Sequence, residues 1–341
     1  MPELNLCSFG QILISIKCII FGVSMIVGLR RRQRKSVRLF AISCVLIALS
    51  SLSAQSYAGT IVRVSTSMGD YSIELLDDIA PITVQNFLNY VNRNDYNGTF
   101  LHRVVDGFVA QGGAYRFRPF SDLEVIASDA PIPNEFNVSN TRGTVAMAKL
   151  LGDPNSATNQ WFVNIADNSE NLDVNNEGFT VFGQVLGDGM AIVDAIDELP
   201  WFSPGSLVPN APFYTDVFTP LGFVTINVEV MERFSSAPHV FESNTGLLIT
   251  SVDVDSGSEL ISMNFNQIAA GDNVVFKANL ESVISRRDSF DGIASYSSAD
   301  QRLRIPSLEV NLNGSVSLVT NVVLVLSDQE ASLFTLESYD Q

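Results

Sequence analysis

Cysteine, histidine and, beyond the first 58 residues, positive charge are what this 341-residue chain has least of. Its three cysteines, Cys7, Cys18 and Cys44, all precede Gly59. A chain beginning at Gly59 therefore has no disulfide framework, no thiolate ligand and no thiol nucleophile. Only two histidines occur, His102 and His239. A His-rich zinc or iron site is excluded, and a Ser-His-Asp triad would have to be built on His102 alone, for which a buried ring holding backbone groups is the plainer reading. Seven of the 20 basic residues and one of the 37 acidic ones precede Gly59, which leaves 13 against 36 and a formal charge of −23. Such a surface has too little basic character to neutralise phosphates, so a nucleic acid partner is excluded. No glycine-rich run leads into Lys and Ser/Thr, so "GAYRFRPF" is not a phosphate loop. "DVDSGSE" (253–259) misses calcium-loop spacing and reads as a polar turn, leaving no metal site and no cofactor to expect.

What is present begins with two apolar stretches, 12–28 and 39–53, around the basic run "RRRQRK" at 30–35. With small residues at Ser56 and Ala58, the second stretch reads as a secretory signal cleaved after Ala58. This predicts export, to the periplasm in a bacterial cell, with no stable membrane insertion after processing. Met25 stands directly before the basic run and is an alternative translation start to Met1. The rival reading is a membrane anchor at 12–28, whose 17 residues are at the short end for a span.

The full chain is 46% hydrophobic, which allows well-packed cores, and is long enough for two ordinary domains. "TIVRVSTSMGDYSIELL" predicts a hairpin turning at 67–70. Pro81 opens an amphipathic helix with Val84, Phe87, Leu88 and Val91 on one face, and 188–199 is a second helix begun by Asp188 and Gly189. Short strands at "GTFLHRVV", "GFVAQGG", "GTVAMAKL", "NQWFVNIA", "FTVFGQVL" and "GFVTINVEVMERF" surround them. Many short strands with two helices predict a closed or nearly closed barrel over 59–236, with the five-proline segment 200–220 as an ordered surface loop. After that the chain holds almost only alternating runs, so 237–341 is predicted to be a small all-β domain, in the form of a sandwich, with no role that its residues disclose.

The chemistry concentrates in "FLHRVVDGFVAQGG" (100–113). Arg103 and Gln111 lie eight apart with Gly107 between them, so adjacent strands can present both on one surface beside Phe108. A fixed guanidinium over an apolar floor can bind a carbonyl oxygen while a compact ring fills the pocket. The alternative on residue type alone is an arginine whose stem covers core.

This stretch resembles the signature of the cyclophilin family of peptidyl-prolyl cis-trans isomerases. "GTVAMAKLLGDPNSATNQWFVN" and "FTVFGQVLGDGMAIVDAI" are similar to its second and third blocks, in the same order, over roughly residues 60–233. The resemblance implies an eight-stranded closed barrel with two capping helices, isomerisation of X-Pro bonds in polypeptide clients, and no covalent intermediate, metal or cofactor. It implies that Arg103 is catalytic, with Phe108 as the floor of the proline pocket and Gln111 bonding the substrate backbone. Val109, Ala148, Gln160, Phe162, Leu172 and Phe179 would line the groove, and Trp161 would turn into the core. Asn171 departs from the family, which commonly has an aromatic residue there, and implies weak cyclosporin binding. A catalytically weak peptide-binding or chaperone-like module is the alternative function.

Overall fold

The computed structural model describes residues 59–117, 123–203, 205–215, 222–271 and 273–341, all of which belong to one compact unit, Ala58–Gln341. The expected signal or anchor at 1–58 lies outside the described residues. Among those described, no helix is long and apolar enough to cross a membrane.

The first sheet opens with β1 (Ile61–Thr66) and β2 (Gly69–Leu75), an antiparallel hairpin. Helix α1 (Pro81–Asn92) follows, with Pro81 in its first turn, where no N–H is needed. Its free N-terminal groups are met from far along the chain: Glu135 accepts from the Ile82 and Thr83 N–H groups at 3.2 and 2.7 Å. A carboxylate there also complements the helix dipole. The buried face centres on Phe87, whose ring meets Phe182, Tyr96 and Trp161 at 5.0, 5.3 and 6.0 Å.

Five short strands come next: β3 (Thr99–Phe100), β4 (Arg103–Val105), β5 (Val109–Gly112), β6 (Tyr115–Phe117) and β7 (Leu123–Val125). Then follow β8 (Thr144–Met147), β9 (Trp161–Asn164), the one-turn helix α2 (Ser169–Leu172), β10 (Val181–Val185) and α3 (Gly189–Asp197). A small ribbon of β11 (Trp201–Phe202) with β12 (Ala211–Pro212) precedes β13 (Thr225–Met231). The hydrogen-bonded order is β4-β5-β9-β8-β10-β2-β1-β13-β3-β6-β7, a curled half-barrel of eleven strands where eight were expected. The three extra members are the short β6 and β7, for which no strand was expected, and the division of "GTFLHRVV" into β3 and β4. The proline-rich segment does more than cover a surface. Val208 and Ala211 are buried with Phe100 and Phe223, and the Asn210 carbonyl accepts from Val104 N–H at 2.8 Å along the outer edge of β4.

The second sheet holds β14 (Val240–Glu242), β15 (Leu247–Val254), β16 (Glu259–Ala269), β17 (Val275–Ser285), β18 (Ala294–Ser297), β19 (Arg302–Leu312), β20 (Ser315–Asp328) and β21 (Leu333–Asp340). It is a closed barrel, which corrects the expected sandwich. The order β15-β16-β17-β21-β20-β19 returns on itself because β14 and β18 each pair with both β15 and β19, filling the seam from its two ends. One pairing of each is parallel and joins strands far apart in sequence, which alternation cannot reveal.

The two sheets meet through buried polar groups. Asp70 lies between Arg63 and Arg286, at 2.8 Å from each, and the three side chains are 13%, 3% and 10% exposed. Burial raises the Asp70 pKa, but the two guanidiniums outweigh it and hold the carboxyl below its ordinary value. Asn227 donates to the Ser282 carbonyl, and Asn264 and Asn97 donate to Glu229. Desolvation raises Glu229 to about 7 against those two hydrogen bonds.

Removing the carboxylate strands two buried guanidiniums, so Asp70→Ala is expected to cost about 3–5 kcal/mol in denaturant unfolding at neutral pH. The Asp70 contribution is present above its unfolded pKa of about 3.9 and is lost as pH falls through its lower folded value. Glu229 has the opposite sign: its contribution is full below about pH 4.3 and is lost as pH rises toward 7. Glu229→Gln should therefore gain stability relative to the parent between pH 5 and 8; a constant difference would contradict this.

Candidate active site

The register of four ladders builds the site. Arg103 on β4 pairs with Gln111 on β5, Gln111 with Phe162 on β9, Phe162 with Ala146 on β8, and Ala146 with Val181 on β10. Side chains alternate along each strand, so this row shares one face of the sheet. Neighbouring residues on the other face, Ala110, Val163 and Val145, enter the main core. Trp161 does so too, fully buried, as expected.

Sidedness alone does not fix the polar groups; hydrogen bonds do. Arg103 Nη1 donates to Gln111 Oε1 at 3.2 Å, and Gln111 Nε2 donates to Gln160 Oε1 at 2.9 Å. Arg103 is half-buried, and burial lowers its pKa, though a guanidinium stays charged. The apolar end of the row, Phe162, Ala146 and Val181, forms a buried cluster with Val109 and Leu172, and the partly buried Phe108, Ala148 and Phe179 pack against it. The Phe162 and Phe179 rings meet edge-on at 6.0 Å. All nine residues singled out in the sequence are thus brought together, three through hydrogen bonds and six through the cluster. Val109, 2% exposed, supports this surface from within.

Gly107, at φ +59°, makes the bend between β4 and β5 that the sequence indicated. Sequence reasoning missed the supports: the Gly107 N–H is held by Asp197 at 3.0 Å. The Phe108 carbonyl accepts from Ile165 N–H at 2.9 Å and from Asn168 Nδ2 at 2.8 Å, which fixes the ring's backbone. Asn168 also donates to Asn164, and Asn164 to Asn140, a chain of buried amides. The run of asparagines at 137, 140, 164 and 168 was the available signal. Lys149 donates to the Asn176 carbonyl at 2.9 Å, and its ammonium lies 4.9 Å from the centre of the Phe179 ring. Burial lowers its pKa. Asn171 is exposed and accepts from Asn175.

His102 is 4% exposed and edge-on to Tyr115 at 5.0 Å. Burial lowers the ring's pKa to about 4, opposed by a hydrogen bond with the Gln160 side chain and assisted by the charge of Arg103. It is a neutral, structural ring at the end of the Arg103–Gln111–Gln160 chain.

The family model described as cyclophilin type peptidyl-prolyl cis-trans isomerase/CLD matches residues 61–212. Over 175 residues the chain is 42% identical to a peptidyl-prolyl cis-trans isomerase of Acinetobacter baylyi, covering 49% of this chain and 90% of that one. The chain belongs to the cyclophilin-type isomerase family. It is also 37% identical over 185 residues to peptidyl-prolyl cis-trans isomerase A of Dickeya dadantii, covering 52% of this chain and 94% of that relative. With isomerase B of Escherichia coli it shares 44% over 142 residues, or 40% and 82% of the two chains. For a cyclophilin with a buried histidine the acid-base consequence is specific. The unfolded chain protonates His102 near 6.5 and the folded one near 4, so stability falls as pH drops between those values. An NMR titration should place the ring near 4, and isomerisation should show no inflection between pH 5.5 and 8; an inflection that disappears in His102→Gln would contradict the structural role.

Proposed function

We propose that this isomerase rotates X-Pro bonds of exported polypeptides, using Arg103 without any covalent intermediate. The hydrogen-bonded Arg103–Gln111–Gln160 chain above the Phe108, Phe162, Leu172 and Phe179 cluster carries this reading. Rotation about an amide meets a barrier of about 18–20 kcal/mol because resonance is lost as the bond twists. The prolyl nitrogen lone pair, delocalised in the planar amide, becomes available in the twisted state. An Arg103 N–H directed at that nitrogen is then a stronger partner for the transition state than for either planar isomer, which is the condition for acceleration. Gln111 and Gln160 fix the guanidinium and offer their remaining amide groups to the substrate backbone. The apolar cluster holds the proline ring still while the carbonyl side turns. No bond between heavy atoms forms or breaks.

Export rests on the paired apolar and basic runs before Gly59, with residues 12–28 as an anchor in the alternative case. A weakly catalytic, peptide-holding role is favoured by one observation: Asn171 stands exposed at the groove where an aromatic wall would grip substrate. The same absence underlies weak cyclosporin binding, which Asn171→Trp should strengthen.

Relaxation of a short X-Pro peptide with the full chain tests the proposal. A charge-assisted hydrogen bond made only in the twisted state is worth about 1.5–3 kcal/mol, so Arg103→Ala should lose roughly 10²-fold in kcat/KM, mainly in kcat. Peptide binding without acceleration, by a folded parent, would instead establish the holding role.

A further inference from the structure

The second barrel packs a core around Leu248, Phe265, Leu303, Ile305 and Leu324 but does not close over it everywhere. Between its strands lies a cavity of about 340 Å³ that opens at the end carrying the β15–β16 and β20–β21 turns. Burial is graded along it. Leu280 stands at the mouth, 65% exposed; Ile261, Met263, Ala278 and Phe334 line the walls at 6–9%; Val252, Phe265 and Leu303 form the floor at 2% or less. Protein interiors normally close such spaces, and an open pocket with an apolar lining offers a place for an apolar molecule. The volume falls at the lower end of the range for small-molecule sites, and barrels of this size hold either packed side chains or one small ligand.

A feature of the wall keeps the space open. β16 and β17 pair as Ser262↔Ile284 and then Asn264↔Asn279, so four residues of β17, 280–283, stand opposite Met263 alone. This bulge is held rather than loose. Ser282 Oγ donates to the Asn279 carbonyl and accepts from Asn264 N–H, both within 2.8 Å, while the Ser282 carbonyl accepts from Asn227 of the isomerase sheet. The opening is therefore built into the interface between the two sheets, and Leu280 is carried outward by it.

Charge selects among apolar occupants. Glu259 and Gln329 line the mouth, and no lysine or arginine is among the lining residues described. Tyr296, also in the lining, has Asp255 and Asp300 close enough that, after desolvation, both raise its pKa. Asp300 is paired with Arg304, but Glu259 has no such ion pair among the described residues. A fatty acid would set its carboxylate against this rim.

We propose that the second barrel binds a single-chain amphiphile, its tail in the cavity and a neutral or cationic head at the Glu259 rim. The proposal does not depend on the isomerase mechanism. Its probe is the uncharged dye N-phenyl-1-naphthylamine, titrated into the full chain and displaced by dodecylamine or dodecanoate below their micellar concentrations. Saturable fluorescence enhancement is expected, reduced at least tenfold in affinity by Ala278→Phe, which fills the cavity. Leu280→Asn, at an exposed position that tolerates substitution, should weaken it similarly with folding intact. Dodecylamine should displace the dye at a concentration at least tenfold below that of dodecanoate, and Glu259→Gln should narrow that gap. Prolyl isomerisation should be unchanged in all three variants. Enhancement indifferent to both cavity variants overturns the proposal, as does equal displacement by the two amphiphiles. Displacement by an apolar peptide but by neither amphiphile also overturns it, assigning the cavity to polypeptide instead.

Discussion

Antiparallel register is the constraint on which the active surface depends. A slip of one residue between β4 and β5 would turn Gln111 into the core and bring Ala110 to Arg103, because successive side chains point to opposite faces. The same row then has to continue through Phe162, Ala146 and Val181. Its permanence comes from the other face. Ala110, Val145, Trp161 and Val163 are buried around Phe87, so the apolar core locks the register that presents the polar groups outside. The sheet thereby has one apolar face for folding and a second, carrying Arg103 and Gln111 beside apolar side chains, for binding.

Rigidity is added where hydrogen bonds end the strands. Gly113, at φ +90°, leaves no room for a side chain: a Cβ there would lie 2.5 Å from the Asn159 carbonyl oxygen. The buried amides of Asn140, Asn164 and Asn168 tie the β5 turn to α2, which carries Leu172. Asn140 and Asn164 both donate and accept through their side-chain amides, and Asn168 donates twice, so the chain satisfies groups that would be costly unpaired in a low-dielectric interior. The guanidinium thus rests on a framework tied by the Arg103–Gln111–Gln160 hydrogen bonds and the asparagine amides behind them.

Local patterns made much of this legible. Eight-residue spacing around Gly107 placed Arg103 against Gln111, and helical spacing after Pro81 placed α1 on the core. The parts that were not legible depend on partners distant in sequence. Glu135 caps α1 from over 50 residues away, and Arg286 reaches Asp70 across 216. Closure of the second barrel rests on β14 and β18, short strands whose parallel pairing leaves no mark on alternation. The bulge in β17 beside its cavity reads in sequence as ordinary strand.

The central claim is that Arg103 acts as one unit with the glutamine that holds it, and a double-mutant cycle on kcat/KM tests it most directly. If Gln111 works mainly by fixing the guanidinium, Gln111→Ala should slow the parent enzyme yet add little in an Arg103→Ala background, a coupling of about 1 kcal/mol or more. Independent, multiplying losses would contradict the account, since each side chain would then meet the substrate alone.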